Sequence, residues 1–310
     1  MKKFATIALT LAMAAASACA SATTVGICQL VQHEALDAAT QGFKDALTEK
    51  MPDVKFDEQN AAGDAATCVT ITSKFAADGV DLILANATSP LQAAVSATGD
   101  IPILGTSITD YATALGMKEW NGTTGINVSG TSDLAPLDGQ ASMIQELFPD
   151  AKNIGLLYCS AEANSVYQIT TIKGYLEEMG YTCTEFAFTD SNDVASVTQT
   201  AADASDVIYI PTDNTAAAYT ETIANVLIPA KVPAVVGEEG ICKGCGVATL
   251  TISYYDLGYK TGEMAYDILA NGADVSTMKI ESAPNFTKKY NAVNAEALGL
   301  TMPADYVAIE

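Results

Sequence analysis

Thr24-Val25-Gly26-Ile27-Cys28-Gln29-Leu30-Val31-Gln32-His33-Glu34-Ala35-Leu36-Asp37-Ala38-Ala39-Thr40-Gln41-Gly42-Phe43 is the stretch whose reading decides the fold. It begins with a short apolar run, the pattern of a buried strand. Polar residues follow at Gln29, Gln32, His33 and Glu34. Ala35, Leu36, Ala39 and Phe43 then recur at helical spacing. The stretch is a strand, a turn and a helix, with the turn at the carboxyl end of the strand. In open α/β sheets that edge is where small ligands bind.

The same rhythm runs outward along the chain. Residues 54–59 alternate like a strand, and Asp64 is placed to cap a helix reaching about residue 77. Residues 81–85 read as a buried strand. Asn86-Ala87-Thr88-Ser89-Pro90 then leads into a helix, with the proline suited to its first turn. A further strand over 101–105 ends in Thr106-Ser107-Ile108-Thr109-Asp110. Repeated β-α alternation implies a parallel sheet with helices on both faces.

Residues 121–131, rich in small turn-compatible types, read as a strand crossing out of this first unit. A second series follows, with helices over 137–148, 164–179 and 192–204 and strands over 154–158, 182–188, 207–210 and 233–237. Pro211-Thr212-Asp213-Asn214 opens one more helix in that series. Residues 247–253 read as a strand leading back, and 255–270 as an amphipathic helix ended by Asn271-Gly272. Short strands over 279–281 and 286–290 and a helix near 292–298 close the chain. At 310 residues the length favours two domains. With no low-complexity linker, two domains exchanging strands fit better than two beads in series. The expected fold class is α/β, with two doubly wound parallel-sheet lobes.

Composition excludes several classes. A formal net charge of -22 makes nucleic acid and anionic membrane surfaces poor partners. All basic residues are lysines, so no arginine fork can hold a ligand carboxylate. That task falls to hydroxyls, lysines or backbone N–H groups at helix starts. Lys2 and Lys3 before an apolar run over 4–16 read as an export signal ending near residue 22, or as a lipoprotein signal with Cys19 as the lipid-bearing residue. Either way the mature chain is expected outside the cytoplasm, in the periplasm or lipid-anchored at the outer face of the cytoplasmic membrane. Seven cysteines include Cys19, and Cys242-Lys243-Gly244-Cys245 is the one close pair. A loop disulfide between Cys242 and Cys245 is the preferred reading, ahead of free buried thiols and of redox chemistry. No metal spacing and no cofactor motif is present.

The chain lacks a nucleophile elbow and a Walker loop, and His33 is its single histidine. Catalysis is not expected. The strand-end turns instead offer polar ligand chemistry. Asn86, Thr88, Ser89, Ser107 and Thr109 suit a carboxylate, whereas Asp213, Glu238 and Glu239 suit an ammonium group. Each of these also has a plain structural reading, as a helix cap or a solvated turn. Their convergence on one rim points to a zwitterionic ligand held between two domains.

These residues resemble a family. The opening stretch, Gln59-Asn60-Ala61-Ala62-Gly63-Asp64, Asn86-Ala87-Thr88, Gly130-Thr131-Ser132-Asp133, Ser160-Ala161-Glu162-Ala163-Asn164-Ser165, Pro211-Thr212-Asp213-Asn214 and Gly237-Glu238-Glu239-Gly240 resemble, in order, the tryptophan/tyrosine-type ABC-transporter substrate-binding proteins. The resemblance implies a type I periplasmic-binding-protein fold with crossovers near Gly130, Ser253 and Ala283. The lobes would be 23–130 plus 254–283, and 131–253 plus 284–310. It implies a monomer that binds an amino acid-like ligand, aromatic amino acids being among the family's ligands, by hinge closure and delivers it to an ABC permease. By position, Gln29, His33, Asn86, Thr88, Ser107 and Asp133 would serve the first lobe and its hinge, and Glu162, Asn164, Asp213 and Glu238 the second. Cys28 and Cys159 depart from the residues usual at those positions. Two other readings stay open. A sensor feeding a membrane receptor would share the fold, and a thiol-disulfide enzyme would need an exposed, low-pKa thiol at Cys242 or Cys245.

Overall fold

The computed structural model describes residues 22–309; the expected export signal, with Cys19, lies outside them. A first run alternates β1 (Thr24–Gln29), α1 (Glu34–Lys50), β2 (Lys55–Asn60), α2 (Ala65–Asp78), β3 (Leu82–Asn86), α3 (Thr88–Ala97), β4 (Ile103–Ile108), α4 (Tyr111–Leu115) and β5 (Val128–Ser132). A second run contains α5 (Leu137–Leu147), β6 (Asn153–Cys159), α6 (Ala163–Glu178), β7 (Thr182–Phe188), α7 (Val194–Ala204), β8 (Val207–Ile210), α8 (Asn214–Ala218), α9 (Thr220–Ala230), β9 (Ala234–Val236), α10 (Glu239–Gly244) and β10 (Ala248–Thr251). The chain ends with α11 (Tyr254–Asn271), β11 (Glu281–Ser282), β12 (Thr287–Tyr290), α12 (Ala292–Ala297) and β13 (Val307–Ala308).

Two mostly parallel sheets result. The first has the order β11-β5-β4-β3-β1-β2, with every pairing parallel. The second has the order β13-β12-β10-β9-β8-β6-β7, in which β12 runs antiparallel to β10. β3 and β4 are buried along their whole length, because helices cover both faces of the sheet. That is why they are near-continuous apolar runs. β2, at the edge, has no buried position; its residues are exposed or half-buried. The chain passes between the sheets after β5, after β10 and after β11.

α11 returns from the second sheet to pack on α1, which lies on the first. The contact is backbone to backbone. A Cβ on Gly258 would sit 1.9 Å from the Ala39 carbonyl oxygen, and one on Gly42 would sit 2.1 Å from that of Tyr255. Glycine at both positions is what lets the two helices approach so closely.

Three expectations need correction. Residues 121–127 are not strand, and only Val128–Ser132 pairs, lying beside β4 within the first sheet. The helix after Asn214 is broken at Tyr219 into α8 and α9. Cys242 and Cys245 form no disulfide; both are free and buried. The reason is local. Residues 239–244 are helical rather than loop, and Cys245 and Gly246 both donate their N–H to the Ile241 carbonyl. Both thiols then face the apolar core of the second sheet, and burial pushes both upward. The exposed, acidic thiol that a thiol-disulfide enzyme requires is therefore missing at this pair.

Candidate functional site

The carboxyl ends of the first sheet's strands face those of the second. β1 leads to His33, β4 to Ser107 and Thr109, and β5 to Asp133. Opposite them, β6 leads to Asn164, β8 to Thr212, Asp213 and Asn214, and β9 to Glu238. All of these, with Ala35, Leu36, Ala217 and Tyr254, line one cavity of about 10 Å³. That is room for roughly one water. Spaces of about 280 Å³ and 310 Å³ adjoin it, one toward the crossovers at Ser253 and Thr287, the other at the mouth beside Val31, Cys159 and Tyr219.

Side chains of the two sheets meet across the gap. The His33 ring Nε2 lies 3.3 Å from Asn214 Oδ1. Asn214 spends its Nδ2 on Glu162 Oε2 at 2.7 Å, so its oxygen faces the imidazole and Nε2 is the donor. Gln168 Nε2 reaches Thr109 Oγ1 at 3.5 Å and Thr212 Oγ1 at 2.6 Å. At the surface, Lys243 pairs with Glu34 at 3.2 Å, an exposed contact that contributes little.

Buried polar groups are normally paired, so exceptions are informative. Among the described residues, the unpaired buried side-chain atoms are His33 Nδ1, Asn86 Oδ1, Ser107 Oγ, Asp133 Oδ1 and Thr249 Oγ1. Three of these, on His33, Ser107 and Asp133, belong to side chains lining the gap. Asp133 accepts a hydrogen bond from the Tyr254 hydroxyl on Oδ2 at 2.8 Å and leaves Oδ1 bare. Burial raises its pKa, partly offset by the hydroxyls of Tyr254 and Thr109. Burial also lowers the pKa of His33, favouring the neutral ring, whose Nδ1 is then an acceptor. Ser107 has φ of +56°, a left-handed backbone uncommon for serine. Ala87, just before α3, has φ of +95°. Strain of this kind gathers where ligands bind.

The acids of the second sheet behave differently. Asp213 accepts from Cys159 N at 2.6 Å, Ser165 Oγ at 2.8 Å and Ala216 N at 2.8 Å. It caps α8 and ties that helix to β6. Glu238 caps α10 through the N–H groups of Gly240 and Ile241. Glu162 accepts from the backbone and side chains of Asn214 and Thr215. Burial raises both Asp213 and Glu238 to about 7, with the Glu162 charge adding to the shift at Asp213. These carboxylates border the gap with their oxygens already engaged.

The structure brings His33, Ser107, Asp133, Asn164, Asp213 and Glu238 to one cavity. Glu162 lines the adjoining mouth. Asn86 stands one layer behind the wall, donating to the Leu36 carbonyl at 2.8 Å and to Thr40 Oγ1 at 2.9 Å. Thr88 opens α3 behind it, outside the lining. Gln29 is turned away into a separate polar groove, bonded to Thr40, Asp37 and the Val31 carbonyl. Tyr254 and Gln168 were missed by the sequence reading. Gln168 sits inside a long helix, where a polar inward residue leaves no local mark, and Tyr254 is the first residue of α11, just ahead of the helical pattern.

A family model described as ABC transporter substrate binding protein matches residues 24–308. The chain belongs to this family. Its fold is of the type I periplasmic-binding-protein kind, and the family is one of solute binders rather than enzymes. A tyrosine-binding protein of Clostridioides difficile (strain R20291) is 38% identical over 249 residues, covering 79% of this chain and 72% of that protein. A solved complex with L-Trp from Streptococcus pneumonia matches with a TM-score of 0.87 at 33% identity, covering 92% of this chain and 97% of that one. The ligand-free, open structure of a substrate-binding protein with adhesive properties from Clostridium difficile matches with a TM-score of 0.70 at 37% identity, covering 93% and 99%.

Proposed function

We propose that this chain is the exported solute receptor of an ABC importer, and that it takes an amino acid with an aromatic side chain into the gap between its sheets. The observation that carries the reading is the ring of unpaired buried atoms on His33, Ser107 and Asp133. Asp133 Oδ1 and neutral His33 Nδ1 are acceptors, which suits an ammonium group. The ligand carboxylate lies at the start of α1, whose N-cap His33 supplies no side-chain bond and whose residues Ala35 and Leu36 line the gap. Free N–H groups and the helix dipole favour an anion there, and the Ser107 hydroxyl adds a donor. This arrangement needs no arginine. It moves the amine from Asp213 and Glu238 to Asp133, because the former acids are engaged as caps.

An aromatic side chain is supported by the relatives that bind tyrosine and L-Trp and by the apolar lining. Leu36, Ala217 and Tyr254 border the centre, and Leu30, Val31 and Tyr219 border the mouth. Opening by hinge motion is part of the reading, because a gap of about 10 Å³ admits no amino acid. The chain matches the L-Trp complex better than the open structure, although it is less identical in sequence to the former. That supports a closed arrangement here and two lobes moving about the three crossovers. Delivery to a permease as a monomer, outside the cytoplasm, completes the proposal.

Thermal-shift screening with the twenty amino acids tests it. Tyrosine or tryptophan should raise the melting temperature most, as linkage requires. A response to none of the twenty would reject the amino acid reading.

A further inference from the structure

The cysteine pair that looks bridged in the sequence is not bridged, but another pair is brought together. α2 lies across β1 on one face of the first sheet. A Cβ on Gly26 would sit 2.7 Å from the Phe75 ring, so Phe75 stands directly over Gly26. Cys28 is two residues further along the strand and shares the face of Gly26. Cys68 is two helical turns before Phe75, and both lie on the buried side of α2. The two rows therefore run side by side, with Phe75 over Gly26 at one end and Cys68 over Cys28 at the other. Both cysteines are free thiols here, fully buried in the same apolar cluster, and each thiol is near enough to shift the other, Cys28 upward and Cys68 downward. Cys159 bonds a carbonyl instead, that of Thr189 at 3.6 Å.

We propose that Cys28 and Cys68 form a disulfide as the chain folds, bridging β1 to the first turn of α2. The inference goes beyond the ligand reading and does not depend on it. The chemistry is thiol-disulfide exchange with an external disulfide, RSSR. One cysteine thiolate attacks RSSR and expels RS⁻. The second thiolate then attacks the mixed disulfide, expels another RS⁻, and closes the Cys28–Cys68 bond. Two cysteine thiols are oxidised, RSSR is reduced, and the two protons leave on two RSH. Because both sulfurs are fully buried in the finished fold, the exchange takes place before α2 settles on the sheet. The bond pins the turn that carries Ala61, Ala62 and Gly63, so it stiffens one wall of the space at the mouth of the gap.

The test is peptide mapping of the full chain, refolded from reduced denaturant in a glutathione redox buffer and alkylated before tryptic digestion. The expected product is the peptide Phe56–Lys74 linked through Cys68 to the peptide ending at Lys44 through Cys28, lost on reduction and absent from Cys68→Ala. Cys242→Ala with Cys245→Ala should leave it unchanged. The oxidised protein should melt about 5 °C or more above the reduced one. Alkylated Cys28 and Cys68 after oxidative refolding, or a bridge from either to a different cysteine, would overturn the proposal.

Discussion

Replacing Asp133 with Asn changes the gap by little more than one charge. Asp133 Oδ2 accepts from the Tyr254 hydroxyl at 2.8 Å, and Oδ1 is buried without a partner. In the variant the amide oxygen keeps the tyrosine bond, so the amide nitrogen must occupy the place of Oδ1. Two N–H donors would then meet the ligand ammonium where an acceptor stood. Removing one partner of a buried, hydrogen-bonded charge pair costs about 2–5 kcal/mol, or roughly thirty-fold to several thousand-fold in Kd. Folding should not suffer, because burial already disfavours the charged carboxylate; the melting temperature without ligand should hold or rise. Titration calorimetry with the best amino acid from the screen, and with its des-amino analogue, gives the readout. The variant should lose affinity for the amino acid and none for the analogue. Equal affinity of both proteins for the amino acid would refute the assignment of the amine to Asp133.

Further outcomes follow from the same geometry. Tyr254→Phe frees Asp133 to rotate and should weaken binding by about 1–1.5 kcal/mol, measured in the same titration. Asp213→Ala removes a cap and strands the Cys159 N–H and the Ser165 hydroxyl. It should lower stability in urea by about 2–4 kcal/mol, so weakened binding in that variant reports damage to the fold. Asp213 and Glu238 have folded pKa values of about 7, above their unfolded values. Their contribution to stability is fully present below the unfolded carboxylate range and is lost as pH rises toward 7. The unfolding free energy from urea titrations should therefore climb from pH 7.5 to pH 5, by up to about 1.4 kcal/mol per pH unit for each group, and Asp213→Asn should flatten the slope. Gly258→Ala drives a methyl against the Ala39 carbonyl at 1.9 Å. It should cost about 3 kcal/mol or more and be visible as a lowered melting temperature.

The first sheet was legible because β1 and β3 are short apolar runs ended by polar turns, and Asp64 marks the start of α2 with a side-chain cap. The stretch around residues 121–127 misled because small residues suit a turn as well as a strand, and only pairing with β4 separates the two. The cysteine pair at 242 and 245 misled for a similar reason. Its spacing resembles a clip, yet the helix that contains it already satisfies the backbone. For the gap, residue types at strand ends pointed to turns that the structure brings together around one cavity. They left open which oxygens were free. Asp213, Glu238 and Glu162 look as available as Asp133 in sequence, and only the hydrogen-bond partners show that the first three are engaged. Tyr254 became visible when the second crossover placed the start of α11 beside the end of β5.

The most direct measurement is a crystal structure of the chain with the amino acid that stabilises it most. That molecule should lie between the two sheets, with its amino group within hydrogen-bond reach of Asp133 Oδ1 and its carboxylate at the start of α1. An amino acid bound on one sheet alone, or in the gap with its amine on the second sheet and Asp133 left bare, would contradict this reading.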